Sequence, residues 1–335
     1  MASPDASPAV AIGDDPASSR SGRFAGPDAT ADVAVVVVTY ESANDLEALI
    51  ASLRVEAAGQ RLRVVVADNG SSDGTLAVAR SHSDIVAIET GGNLGYAGGI
   101  NAAMRAVGDA GTILILNPDL VVVPGAIAAL RERLRHSDVG VVVPRILDAD
   151  GSPFTSLRRE PSLLRAVGDA AFGSRFASRP GAFAEVVHDA SAYEHPHPAD
   201  WATGAALLID ARVARAVGPW DERFFLYSEE TDFLRRVRDL GRTVWFEPGA
   251  VVRHAQGGSG ASVDLERLMA VNRIRYMRKH HGPITAAAYR GAVVMHEAAR
   301  AWMPAHRAAL RTVLSERTWA DLPRASRHDE TGSAA

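Results

Sequence analysis

The stretch TILILNPDL (Thr112–Leu120) decides how the rest of the chain is read. An apolar run with the character of a buried strand ends abruptly in Asn117, Pro118 and Asp119. Asn-Pro-Asp is an ordinary turn sequence. The other reading is that the strand delivers Asp119 to something that needs a fixed negative charge. Taken alone, the turn is the simpler choice, so the decision falls to the neighbouring segments.

Working outward, VAVVVVT (33–39) is a continuous β-branched run of the kind buried on both faces of a sheet. Helical spacing follows over 44–54. LRVVVAD (62–68) and DIVAIE (84–89) are further strands, with a helix starting near Asp73 between them. GYAGGINAAMRAVG (95–108) opens a helix with glycines, TILILN (112–117) is the fourth strand, and PGAIAALRERLRH (124–136) is a helix with proline in its first turn. VGVVVP (139–144) is the fifth strand. This alternation predicts an α/β fold: a mostly parallel central sheet flanked by helices. Residues 145–200 lack periodicity and read as an irregular insertion. AALLID (205–210) resumes a strand, 229–240 is a helix, and TVWFEP and AVVRHA are two short extended pieces. Helices are expected at 263–281 and 284–303. The domain reading is a disordered tail over 1–31 and a catalytic domain over 32–262. The latter divides into a nucleotide-binding half (33–144), the insertion, and an acceptor half (201–262). A helical region (263–320) and a second tail (321–335) follow.

Bulk properties narrow the function. The chain has 335 residues and a net charge of −4, which gives no electrostatic footprint for nucleic acid. It has no cysteine, which excludes disulfides, thiolate metal sites and cysteine nucleophiles. The start lacks a secretion signal and no apolar run is long enough to span a membrane, so a cytoplasmic protein is expected.

In an open parallel sheet, ligands bind beyond the carboxyl ends of the strands. That edge receives Thr39, Tyr40 and Glu41 after strand one, and Asp68, Asn69, Ser71 and Asp73 after strand two. Gly91–Gly95 follow strand three, and Asn117 and Asp119 follow strand four. DNGSSDGT also reads as a turn and helix cap, with Ser71 or Ser72 as the cap. GGNLGYAGG reads either as a plain loop or as a loop that lets backbone amides approach a phosphate. The place where a dinucleotide-binding oxidoreductase would carry GxGxxG holds TYESAND, so that reading fails. A nucleotidyltransferase would carry a glycine- and arginine-rich loop with a lysine there, and none is present. On a diphosphate-binding edge, Asp119 becomes a ligand for Mg²⁺ or Mn²⁺, which favour oxygen donors and share them with phosphates. Downstream, Glu229, Glu230 and Asp232 open a helix. They either complement its dipole or supply a general base whose pKa is raised by its neighbours. His254 is either structural or a further metal ligand.

Seven stretches taken in order resemble the inverting glycosyltransferase family 2, in its bacterial rhamnosyltransferase-like branch: VVVVTYES, VVVADNGSSDGT, GGNLGYAGGIN, ILNPDL, WATGAALLIDA, FFLYSEETDFLRRV and VVRHAQGGS. The similarity covers about 33–281. It implies a GT-A fold, with Thr39, Tyr40 and Glu41 lining the nucleotide pocket and Asp68 on the base beside Asn69 and Ser71. Asn93, Gly95, Gly98 and Asn101 would face the ribose and diphosphate, with Asn117 also on the donor side. It implies Asp119 and His254 as metal ligands, Trp201, Thr203, Gly204 and Asp232 about the sugar and acceptor, and Glu230 as base beside Glu229. The motif begins with Asn117 where the family commonly has aspartate, which implies a single carboxylate on the cation. The implied donor is dTDP-rhamnose, with a UDP- or GDP-sugar as the alternative, and the implied acceptor is a glycan or polyprenyl-diphosphate-linked sugar. A protein that binds the nucleotide sugar without catalysis would not need Asp68, Asp119, Glu230 and His254 together. Finally, the basic stretch VNRIRYMRKHHG (271–282) is either a solvated face or a contact for a lipid-linked diphosphate acceptor or for anionic headgroups at the inner membrane surface, worth about 1 kcal/mol per residue near such a surface.

Overall fold

The computed structural model describes residues 22–26, 29–173, 180–254 and 262–327. In chain order the elements of the first half are β1 (Ala31–Thr39), α1 (Ala43–Glu56), β2 (Leu62–Asp68), α2 (Thr75–Ser81), β3 (Ile85–Glu89), α3 (Gly95–Met104), β4 (Ala110–Leu116), β5 (Leu120–Val122), α4 (Ala126–Leu134) and β6 (Val139–Leu147). Then come β7 (Leu157–Arg158), α5 (Leu163–Phe172), β8 (His197–Ala199), β9 (Trp201–Ala202), β10 (Ala206–Asp210), α6 (Ala211–Val217), α7 (Glu229–Asp239), β11 (Thr243–His254), α8 (Val263–His280), α9 (Pro283–Ala298) and α10 (Pro304–Leu314).

The main sheet runs β3-β2-β1-β4-β10-β6-β11-β5, with β8 added to β11. β1 shows why the pattern works. Val33, Val35 and Val37 face a core built with Leu46, Leu49, Ile50 and Leu53 of α1. Ala34, Val36 and Val38 face the opposite core, with Ala97, Ile100 and Ala103 of α3. Both faces are covered, so no polar residue interrupts the strand. Each buried valine contributes about 1.5–3 kcal/mol.

Register places the site. In the parallel set β3-β2-β1-β4, Thr39 pairs with Asp68, Asp68 with Glu89, and Val37 with Leu116, so four carboxyl ends meet at one edge. β10 then runs antiparallel between β4 and β6, with Ala206 opposite Leu116. Its leading residues therefore arrive at that same edge. β11 runs antiparallel to β5, and His254 pairs with Leu120, the residue after Asp119.

Several expectations are corrected. TVWFEP and AVVRHA are one strand, β11, bent by an irregularity between Glu247 and Val251. The stretch 145–200 is not irregular throughout: β6 continues to Leu147, α5 is capped by the Ser162 hydroxyl, and β7 pairs with β9. These pieces are two- or three-residue strands and one short helix, too brief to print a period. The helix expected at 284–303 ends at Ala298, and a separate helix starts at Pro304, where proline suits the first turn. Residues 1–21 of the expected N-terminal tail lie outside the described residues, but Phe24 is buried beneath the Arg54 guanidinium, 4.1 Å from its ring centre. Residues 328–335 likewise lie outside. Leu322 is buried and the Ser326 N–H donates to the Asn93 carbonyl at 2.9 Å, so the chain docks on the domain beyond 321.

The basic helix α8 is not a free cationic face. Arg273 pairs with Asp169 and Glu185, Arg278 with Glu316, and Lys279 with Asp221 and Asp232, while His280 lies 2.8 Å from Asp232. Headgroup contact through these residues would have to break pairs already made. The same cluster reassigns Asp232. Its carboxylate is fully buried between Lys279, His280 and Arg236, facing α8 and not a sugar. Among the described residues, no helix is long and apolar enough to cross a membrane.

Candidate active site

The first side of the site is a network of loops. The Asp68 carboxylate is buried, and it accepts from the Thr39 hydroxyl (2.9 Å), the Ser71 hydroxyl (2.6 Å) and the Ser71 N–H (3.0 Å). Glu41, held at φ 52°, accepts from the N–H and hydroxyl of Ser72, and its own N–H donates to Ser71 Oγ. Neither serine caps α2; Asp73 accepts from the Thr75 and Ala43 amides instead. Asp68 thus braces the loops from below, and Tyr40, more than half exposed, stands at the rim.

The glycine loop is shaped by packing. Gly95 holds φ +72°, and a Cβ there would lie 2.3 Å from the Phe225 carbonyl oxygen, which accepts from the neighbouring Tyr96 N–H at 2.7 Å. Asn93 Oδ1 accepts from the Gly95 N–H, and the Asn69 side-chain amide donates to the Gly95 carbonyl. A Cβ on Gly98 would press on Leu94. Asn101 is drawn elsewhere: it exchanges hydrogen bonds with the Trp220 backbone and donates to Glu222. Its side chain is thus engaged with the segment before α7.

The second side brings the carboxylates together. Asp119 Oδ2 lies 3.3 Å from His254 Nδ1, and the His254 ring meets Phe154 edge-on. The Asp119 hydrogen bond raises the His254 pKa. The reversed approach of β10 seats Gly204 against Tyr96, whose hydroxyl donates to the Gly204 carbonyl at 2.8 Å, and against the Glu230 side chain. Asn117 is fixed through its N–H on the Ala205 carbonyl. Trp201 is buried, with its indole N–H on the Arg159 carbonyl. Burial pushes Glu229 well above the usual glutamate range, with the charge of Glu230 adding to it. Burial also raises Glu230, opposed by backbone hydrogen bonds of Glu230 and Gly204 and then by the charge of Arg158. Tyr96 is raised by burial and then by Glu229, Glu230 and Asp119, so one phenol feels all three carboxylates.

The telling feature is what lacks a partner. Asp119 Oδ1, Thr203 Oγ1, Glu229 Oε2 and Glu230 Oε2 are buried with no hydrogen-bond partner among the described residues. An unsatisfied buried polar atom costs about 1–3 kcal/mol, so their convergence marks a place built for a ligand. The donors suit a divalent cation. A free carboxylate oxygen is present, and Asp119 and His254 atoms 3.3 Å apart are close to the roughly 3 Å spacing of adjacent ligands on an octahedral ion with bonds of about 2.1 Å.

One residue at the site was missed from sequence. Phe225, Tyr227 and Ser228, just before α7, all hold positive φ, a strain of about 1–3 kcal/mol each. Asn272 of α8, fully buried, places its side-chain amide 2.7, 2.8 and 3.0 Å from the carbonyls of Phe224, Leu226 and Tyr227. The available signal was an asparagine beside Val271 and Ile274 on a buried helix face.

Comparisons with known proteins bear on the family and the fold. The family model "Glycosyl transferase family 2" matches residues 34–185. An N-acetylglucosaminyl-diphospho-decaprenol L-rhamnosyltransferase of Mycobacterium tuberculosis is 32% identical over 255 residues, 72% of this chain and 82% of the relative. The low-salt glycan biosynthesis hexosyltransferase Agl10 of Haloferax volcanii is 31% identical over 211 residues, 62% of each chain. In structure, the chain is similar to the mannosyltransferase PcManGT from Pyrobaculum calidifontis, solved with GDP-Man and Mn²⁺. The TM-score is 0.50 at 18% identity, covering 89% of this chain and 86% of that one. That likeness concerns the GT-A fold.

Replacing Asn272 with alanine leaves three carbonyls of a strained turn without their donor. The expected result is a loss of about 2–3 kcal/mol in urea unfolding, with a larger fall in turnover than in nucleotide affinity. Unchanged stability and turnover would refute its role in positioning Glu229 and Glu230.

Proposed function

The chain belongs to glycosyltransferase family 2, and on that premise we propose that it is a metal-dependent, inverting rhamnosyltransferase. It would move the sugar of dTDP-rhamnose to a hydroxyl of a polyprenyl-diphosphate-linked glycan in cell-surface polysaccharide synthesis. The convergence of unpartnered buried oxygens from Asp119, Thr203, Glu229 and Glu230 carries the proposal. The name of the mycobacterial relative supports the choice of sugar and acceptor.

In this reading Tyr40, Glu41, Ser71 and Asn93 border the nucleotide, with Thr39, Asp68 and Asn69 bracing them. Asp119 and His254 hold Mg²⁺ or Mn²⁺, which when bound offsets the charge of the donor diphosphate and of the departing nucleoside diphosphate. Glu230, less buried than Glu229 and touching Gly204, is the base. It takes the proton of the acceptor hydroxyl. That oxygen bonds to the anomeric carbon as the bond to the diphosphate oxygen breaks on the opposite face, so configuration inverts. Glu229, raised well above the ordinary range, favours its protonated form and leaves the negative charge to Glu230.

Contact with the inner membrane surface is proposed through α5. Leu163, Leu164, Val167 and Phe172 are exposed there, and the helix follows Arg158, whose charge acts on Glu230. Flotation with anionic liposomes should carry the wild-type chain upward and leave Leu164→Glu/Val167→Glu in the soluble fraction. Equal flotation of both would remove this surface from the reading.

Calorimetric titration with dTDP, UDP and GDP, each with and without Mn²⁺, tests the donor. Metal-dependent binding of dTDP, abolished by Asp119→Ala, is expected. Binding of UDP or GDP instead would reassign the nucleotide, and binding of none by the folded protein would sink the nucleotide-sugar reading.

Glu230→Gln should bind the nucleotide normally yet lose about 10²–10⁴-fold in turnover. Because burial raises Glu230, wild-type turnover should fall with acid through a pH above 4.5, the ordinary glutamate value. Glu229 has a raised folded pKa, so the stability tied to its protonation is complete at low pH and is lost as pH rises through that pKa. Glu229→Gln should therefore gain thermal stability over wild type at pH 8 and little at pH 4. If Glu229→Gln abolishes turnover and Glu230→Gln does not, the two roles are exchanged.

A further inference from the structure

The three C-terminal helices carry a second cluster of metal-ligating groups, remote in sequence from Asp119 and His254. His296 and Glu297 lie near the end of α9 and His306 in the first turns of α10, and one ligand atom from each falls within 4.8 Å of the others. Glu266 of α8 adds a fourth group, its carboxylate 3.9 Å from His306 Nδ1. Glu297 is buried and lies 2.8 Å from the same nitrogen.

One further observation points to a ligand. His296 Nδ1 is buried and has no hydrogen-bond partner among the described residues. The rings of His296 and His306 have centres 5.9 Å apart, so small side-chain rotations would bring the donor atoms to the roughly 3.3 Å edge of a tetrahedron with bonds of about 2.0–2.1 Å.

We propose that His296, Glu297, His306 and Glu266 form a structural Zn²⁺ site that ties α8, α9 and α10 together. Imidazole and carboxylate donors in a closed four-ligand set suit Zn²⁺, whereas Mg²⁺ prefers oxygens alone. The two carboxylates balance the charge of the ion. The site acts on the helices that hold Asn272, and it takes no part in sugar transfer.

The test uses the full chain carrying Asp119→Ala, which removes the carboxylate of the catalytic metal site. After chelator treatment and dialysis, ZnCl₂ is titrated calorimetrically and thermal unfolding is followed with and without the metal. One equivalent of Zn²⁺ should bind with micromolar or tighter affinity and raise the unfolding midpoint. The further substitution His306→Gln, or independently His296→Gln, should weaken binding at least tenfold and remove the midpoint shift. Failure of the folded Asp119→Ala protein to bind Zn²⁺, or equal binding by both histidine variants, would overturn the proposal. Neither result bears on the nucleotide titration, because dTDP is absent from this experiment.

Discussion

The site depends on one reversal of chain direction. Parallel pairing of β3, β2, β1 and β4 collects four strand ends at an edge, but that edge alone does not include Gly204 or Glu230. β10 enters antiparallel between β4 and β6. Its approach brings Ala205 to the end of β4, where its carbonyl accepts from the Asn117 N–H. Gly204 then meets Tyr96 and Glu230. Hydrogen-bond register, fixed by continuous apolar packing on both faces of the sheet, thereby sets the distance between the carboxylates.

The sequence made one half of this layout far more legible than the other. β1, β2 and β4 are long β-branched or aliphatic runs, and such runs read directly as doubly covered strands. The polar residues at their ends could be placed on one edge without coordinates. The pairing of His254 with Asp119 could not, because it depends on β11 turning past its irregularity to lie antiparallel to β5. The family resemblance suggested that pair, and periodicity alone would have left His254 a lone histidine. The surroundings of Asp232 and Asn101 were not legible for a related reason. Each sits within a motif beside residues that line the edge, but a helix turns successive side chains about 100° apart. Asp232 consequently faces α8, and Asn101 faces Trp220. Spacing in a motif does not separate a residue that touches a ligand from one that holds the motif in place.

Glycine has a similar double meaning here. A glycine-rich loop before a helix suggests room for a phosphate. At Gly95 the room is already taken by the Phe225 carbonyl. The glycine is needed so that the loop after β3 can press against the turn before α7, and this contact joins that loop to the turn that leads into Glu229 and Glu230. A larger residue would push the two halves apart before any ligand entered.

The C-terminal helices complete the argument. The turn before α7 holds positive φ at Phe225, Tyr227 and Ser228, with local support such as the Leu226 N–H on the Phe224 carbonyl. Further support comes from Asn272 on α8, while Lys279 of the same helix pairs with Asp232 in the first turn of α7 and His280 lies 2.8 Å from it. α8 therefore grips α7 at both its entry and its first turn. Several cations of this basic helix, Arg273, Arg278 and Lys279, are therefore paired with acids of the fold. The buried pair Glu229 and Glu230 thus opens a helix held at its start by α8, and the C-terminal helices pack as part of the same fold.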